Sequence, residues 1–137
     1  MIYYTTYHDK DVFDEINRVI GGPYKLRELL KIGAVGSSRM KIEEYSPAFK
    51  PLVENNQYDT FASIGLRSKG ILLTVSKGHN NICWAIPYYR LSIYKTEVLS
   101  IHAEGQFLKL NLKKNQNKKF IAKLLDFKAK YHQEQGG

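Results

Sequence analysis

One cysteine, Cys83, stands in the 137 residues, so no disulfide can form within the chain and nothing points to an oxidising compartment. No apolar run approaches the ~18–20 residues that a membrane-spanning helix needs. The opening MIYYTTYHDK lacks both the basic and the apolar stretch of a secretion signal. The expected location is therefore the cytoplasm. Internal repeats are absent, and biased sequence is confined to KKNQNKK. The catalytic patterns are missing too. HDKDVFDE starts like a calcium loop, but Phe13 stands where an oxygen ligand belongs and no glycine follows it. His79 and Cys83 lie four apart without the second pair that a tetrahedral zinc site requires. GAVGSSR ends without the Lys-Ser/Thr of a phosphate-binding loop and follows a helical stretch, where such a loop should open one. Ser37 and Ser38 lie outside any nucleophile elbow, and Cys83 has no evident His partner. Glu43 and Glu44 are adjacent, so a strand would send them to opposite faces. No metal, no cofactor and no catalytic residue are expected.

What the chain does have is apolar residues at 43%, aromatics at 12% and a net charge of +8. This is the composition of one folded domain able to bury a core of its own. The charge is uneven. Residues 1–60 carry eight Lys/Arg against nine Asp/Glu, residues 61–104 five against two, and residues 105–137 eight against two. The basic excess therefore gathers at the C-terminal end, where it suits phosphates, acidic partners or an anionic surface without choosing among them.

Periodicity gives the organisation. DKDVFDEINRVIGGP predicts a helix with Asp9 or Asp11 at its start, Val12, Ile16 and Val19 on one face, and Gly21-Gly22-Pro23 as a stop. PYKLRELLKIG predicts a second, with Pro23 in its first turn, Leu26, Leu29 and Leu30 on one face, and an end near Gly33. RMKIEEY follows as a strand, and one helical turn fits around Pro47 and Pro51. From residue 60 the period becomes two. Ala62, Ile64 and Leu66 share a face, RSKG turns with Gly70 free to take positive φ, and Ile71, Leu73 and Val75 return. Ile82, Trp84 and Ile86 alternate against Cys83 and Ala85 until Pro87, which cannot donate a ladder hydrogen bond. Leu91 and Ile93 begin the next strand. A hairpin turning at EG sets Leu99 and Ile101 against Leu108, Leu110 and Leu112. NKKFIAKLLDFKAKYH closes the chain as an amphipathic helix with Phe120, Leu124, Phe127 and Tyr131 in one stripe, widened by Ile121 and Leu125. The sum is an α+β domain of about seven short antiparallel strands with one or two short helices before them and one helix after.

The hairpins GLRSKGILLTV, ICWAIPYYRLSIYK and LSIHAEGQFLKLNL, with the helix NKKFIAKLLDFKAKY, resemble a bacterial pleckstrin-homology-like (PH-like) domain. In that family a strand ending in Ile-Pro steps to the next, as Ile86-Pro87-Tyr88-Tyr89-Arg90-Leu91 does here. The resemblance implies a half-open antiparallel barrel over residues 39–132, its mouth closed by the C-terminal helix, after an N-terminal helical extension over 1–38 and before a tail over 133–137. It carries over no phosphoinositide site, because LRSKG is short and offers only Arg67 and Lys69. Where the eukaryotic pattern has a Trp in the closing helix, this helix offers Phe120 and Phe127.

One cluster suits a ligand. Lys113, Lys114, Lys118 and Lys119 bracket a polar turn, and Lys123 follows a helical turn later, a candidate anion-binding corner or a solvated rim. Exposed aromatics suited to base stacking are not interleaved with it. The expected function is a non-enzymatic PH-like binding or scaffold module. A protein or peptide is the foremost partner, with an anionic membrane surface as a weaker one. The alternative is nucleic-acid binding through the basic corner.

Overall fold

The computed structural model describes residues 2–4, 10–53, 60–77, 80–112 and 117–134. Eight strands form one antiparallel sheet: β1 (Ile2–Tyr4), β2 (Met40–Tyr45), β3 (Phe61–Leu66), β4 (Gly70–Lys77), β5 (Asn80–Pro87), β6 (Ser92–Lys95), β7 (Val98–Ala103) and β8 (Gln106–Asn111). Their order is β1-β5-β4-β3-β2-β8-β7-β6, which leaves β1 and β6 as open edges. The helices are α1 (Lys10–Ile20), α2 (Leu26–Ile32), α3 (Lys50–Val53) and α4 (Lys118–Glu134).

The middle of the sheet turns on β2. Met40 and Lys41 pair with Ala62 and Phe61 of β3, whereas Ile42 to Tyr45 pair with Leu110 to Leu108 of β8. The register slips between Ile42 and Glu44, the kind of irregularity that bends a strand and lets it serve two neighbours. Glu43 and Glu44, which lie at this slip, both meet side chains of β8. Both are exposed, Glu43 accepting a hydrogen bond from Asn111 at 2.7 Å and Glu44 pairing with Lys109 at 3.1 Å.

The period-two reading of the strands agrees with their burial. Ala62, Ile64 and Leu66, then Ile71, Leu73 and Val75, and Leu99, Ile101, Leu108 and Leu110 all lie in one core with Trp84 and Ile86. Leu99 pairs with Leu110 and Ile101 with Leu108. The EG turn between β7 and β8 works because both residues take left-handed backbone, Glu104 at φ 52° and Gly105 at φ 79°, matching the twist of a two-residue hairpin. Gly70 is needed for another reason than the positive φ expected of it. A Cβ there would collide with the Ile86 carbonyl oxygen, Ile20 Cγ2 and Pro87 Cα, so glycine is what lets β4, β5 and α1 meet.

Four features differ from the sequence reading or add to it. Among the described residues the strand count is eight, because Ile2–Tyr4, inside the segment read as a helical extension, pairs with Ile82 to Trp84 of β5. Cys83 and Ala85 alternate with Trp84 as expected, and their side of β5 is covered too. They lie buried with Tyr3, Ile16 and Ile20 in a second cluster under α1, so β5 is covered on both faces. Leu125 is 42% exposed and does not widen the buried stripe of α4, which consists of Phe120, Ile121 and Leu124 with Phe127 and Tyr131 partly buried. The fourth concerns α2, which buries no residue, and whose Leu26 and Leu30 are 75% and 80% exposed.

Candidate functional site

The aromatic stretch between β5 and β6 is mostly structural. Trp84 is buried with its ring 5.3 Å from that of Phe49, and its indole N–H has no hydrogen-bond partner among the described residues. Tyr88, in the short 3₁₀ turn Tyr88–Arg90, is buried against Tyr131 of α4 and donates its hydroxyl to the Arg67 carbonyl oxygen at 2.8 Å. Arg67 in turn donates to Asn17 Oδ1 and to the Gly21 carbonyl oxygen, at 3.0 and 2.8 Å, tying the β3–β4 turn to the end of α1. Burial lowers the Arg67 pKa, and the guanidinium is held by carbonyl and amide oxygens.

Burial also drives the Tyr88 pKa well above the ordinary phenol value. The folded chain keeps this proton where the unfolded chain releases it. Tyr88 therefore contributes fully to stability below pH ~10 and progressively less above it. Urea unfolding should show that Tyr88→Phe costs about 1 kcal/mol at neutral pH, from the lost hydrogen bond, and less at about pH 11. A cost unchanged by pH would mean that the hydroxyl ionises freely in the folded protein.

Of the residues weighed for chemistry, Ser37 and Cys83 are occupied by structure and His79 lies outside the described residues. Ser37 Oγ accepts the Ile64 N–H at 2.9 Å, and Cys83 is buried with Thr74 Oγ1 at 3.8 Å. His102 lies between the rings of Tyr94 and Phe107. Among the described residues no three His, Cys, Asp or Glu are placed to hold a metal ion. Among the described residues two shallow hollows of about 300 Å³ are found. One is lined by Tyr24, Ile32, Ser68, Phe127, Lys130 and Tyr131, the other lies at the β7–β8 turn beside His102 and Phe107. The second gathers Ser92, His102 and Glu104, but the Glu104 carboxylate is paired with Arg90 at 3.0 Å, His102 packs against the Tyr94 and Phe107 rings, and no hydrogen bond joins Ser92 to His102 among the described residues, so the three are not aligned as a catalytic set.

The basic corner is only partly assembled. Lys113 and Lys114 lie outside the described residues. Lys118 and Lys119 are exposed in the first turn of α4, their side chains without ion pairs among the described residues. Cations there face the positive end of the helix dipole, so the fold gains nothing from their charge. Lys123 is diverted. Its ammonium donates to the carbonyl oxygens of Ile32 and Ala34, at 3.0 and 2.8 Å, closing the last turn of α2 against α4. Asn117, at the start of α4, likewise accepts the Ser38 N–H at 2.9 Å. These contacts hold the α2 segment on the molecule by its end, leaving Leu26 and Leu30 uncovered.

Compared with known proteins, the chain matches no family model, no curated protein and no solved structure. The geometry of this face must therefore carry the argument. α2 runs for two turns between Lys25, whose N–H donates to the Glu28 carboxylate at 2.9 Å, and Gly33. Leu29 and Ile32 are half-buried, while Leu26 and Leu30, one turn apart, stand in solvent. Arg27 and Lys31 each follow an exposed leucine and are themselves exposed. A helix-period pattern marks an apolar face without saying how much of it the fold will cover. The one sequence signal was brevity: between Pro23 and Gly33 there is room for only two turns.

Proposed function

We propose that the chain is a non-enzymatic PH-like binding or scaffold module whose docking face is α2. The observation that carries this reading is the exposure of Leu26 and Leu30 on a helix that buries nothing. An isolated two-turn helix is unstable in water, so α2 depends on the contacts at its ends: the Glu28 cap, the Lys123 ammonium, and the backbone bonds of Val35 and Ser37 to β3. A fold that commits two charge-assisted hydrogen bonds to a helix with two leucines in water is presenting those leucines to something else. The PH-like part is supported by the seven strands from β2 onward, ordered β5-β4-β3-β2-β8-β7-β6 around a bent β2, with α4 packed on their inner face. That arrangement accords with a half-open barrel closed by its C-terminal helix. The partner is a protein, a peptide or an anionic surface. Nucleic-acid binding through the lysine corner is less favoured, since Lys123 is committed to carbonyl oxygens.

A photocrosslinking amino acid at position 30 tests the face. In cells it should give a protein or lipid adduct that the same group at Glu97, an exposed site in the β6–β7 turn, does not. Equal labelling from both positions, or none from position 30, would remove the docking face.

A further inference from the structure

We infer that the Leu26–Leu30 face of α2 docks on the surface of an anionic lipid bilayer, the leucines entering the interfacial layer while Arg27 and Lys31 meet the headgroups. This rests on α2 being the docking face and names its partner. Leu26 and Leu30 protrude as a ridge, with Arg27 and Lys31 one position further round the helix beside each. Apolar side chains flanked by basic ones on a surface helix are the arrangement that lies in a membrane interface. The one acidic residue of α2, Glu28, has its carboxylate turned back to the Lys25 N–H. Lys119 stands one turn before Lys123, whose ammonium touches the end of α2, so α4 adds positive charge at that end of the molecule.

Other occupants fit less well. A second copy of the chain would bring Arg27 and Lys31 of each α2 toward those of the other. A protein partner needs roughly 800 Å² on each side for a stable interface, and two leucine side chains supply a small part of that. A fluid bilayer needs no matching pocket for a ridge. It asks for two signals together, apolar insertion and charge, and α2 carries both. No helix among the described residues is long and apolar enough to cross a membrane, so the contact would be with one surface.

The experiment is co-sedimentation with vesicles of phosphatidylcholine alone and of phosphatidylcholine with a quarter phosphatidylserine, at about 0.1 M salt. The wild-type chain should bind the phosphatidylserine vesicles and leave the neutral ones. Leu26→Ser with Leu30→Ser should weaken binding at least about a hundredfold, and Arg27→Gln with Lys31→Gln roughly 30-fold. All four positions are exposed, so thermal melting should confirm that both variants fold. A Leu30→Trp variant should shift its emission to the blue on the phosphatidylserine vesicles, over the constant signal of buried Trp84. Binding indifferent to phosphatidylserine or to the leucines overturns the inference. Failure to bind vesicles while position 30 still crosslinks a protein in cells overturns the bilayer and keeps the docking face. Failure of both removes both readings.

Discussion

Ile86→Asp is expected to unfold the domain. Ile86 lies on β5 opposite Ile71, is 1% exposed, and belongs to the main core with Trp84 and Leu73. A carboxylate there would be buried among apolar side chains, and the β5 backbone around it is already committed to β4. Burying an unpaired charge costs more than the ~4–5 kcal/mol that marks the extreme of single substitutions, against a total stability of ~5–15 kcal/mol for a domain of this kind. Ile86→Val, which removes one methyl group, should cost only ~0.5–1.5 kcal/mol. Trp84, the single tryptophan, reports the outcome. Its emission should be blue-shifted and resist iodide in the wild type and in Ile86→Val, and be red-shifted and readily quenched in Ile86→Asp. A folded Ile86→Asp with shielded Trp84 would mean that Ile86 can reach water, and the inward phase of β5 would be lost with it.

That phase was legible because a strand has only two sides. Once Ile82, Trp84 and Ile86 are placed together, Cys83 and Ala85 must point the other way. Whether that other side is wet is a tertiary question. Here α1 covers it with Ile16 and Ile20, helped by Tyr3 of a three-residue edge strand whose sequence, Ile-Tyr-Tyr, is too short to show a period. The hairpins were legible for a similar reason: the EG turn and the leucine alternation fix register locally, so Leu99–Leu110 and Ile101–Leu108 follow from the turn alone.

The exposure of Leu26 and Leu30 was hidden by the same logic. Leu26, Leu29 and Leu30 at helical spacing read as one apolar face, yet a contact that helps fix α2 comes at its far end from Lys123, about ninety residues along the chain. A lysine in a basic run reads as a surface charge. Nothing in the local pattern says that its ammonium will instead satisfy the last carbonyl oxygens of a helix distant in sequence. The lysine corner was thus a charge-composition argument, and composition does not tell a ligand from the protein's own backbone.

The closing helix supplies the second large effect. Leu124 is fully buried in the main core, between the half of α4 that carries Phe120 and Ile121 and the half that carries Phe127 and Tyr131. Leu124→Ala should therefore cost ~2–5 kcal/mol, the transfer free energy of the lost atoms plus the cavity they leave. The adjacent residues separate burial from mere position on the helix. Leu125→Ala, partly exposed, should cost under about 1 kcal/mol. Lys123→Ala should cost about 1 kcal/mol, more than a surface lysine, because the carbonyl oxygens of Ile32 and Ala34 lose a charged donor. It should also speed amide hydrogen exchange across residues 26–32 without doing so in β3 to β5, since α2 is held by that tether and the sheet is not. Three equally mild substitutions would make α4 peripheral to the core. A Leu124→Ala cost in the expected range with no change in α2 exchange on Lys123→Ala would keep α4 as the lid of the sheet and discard Lys123 as the tether of α2.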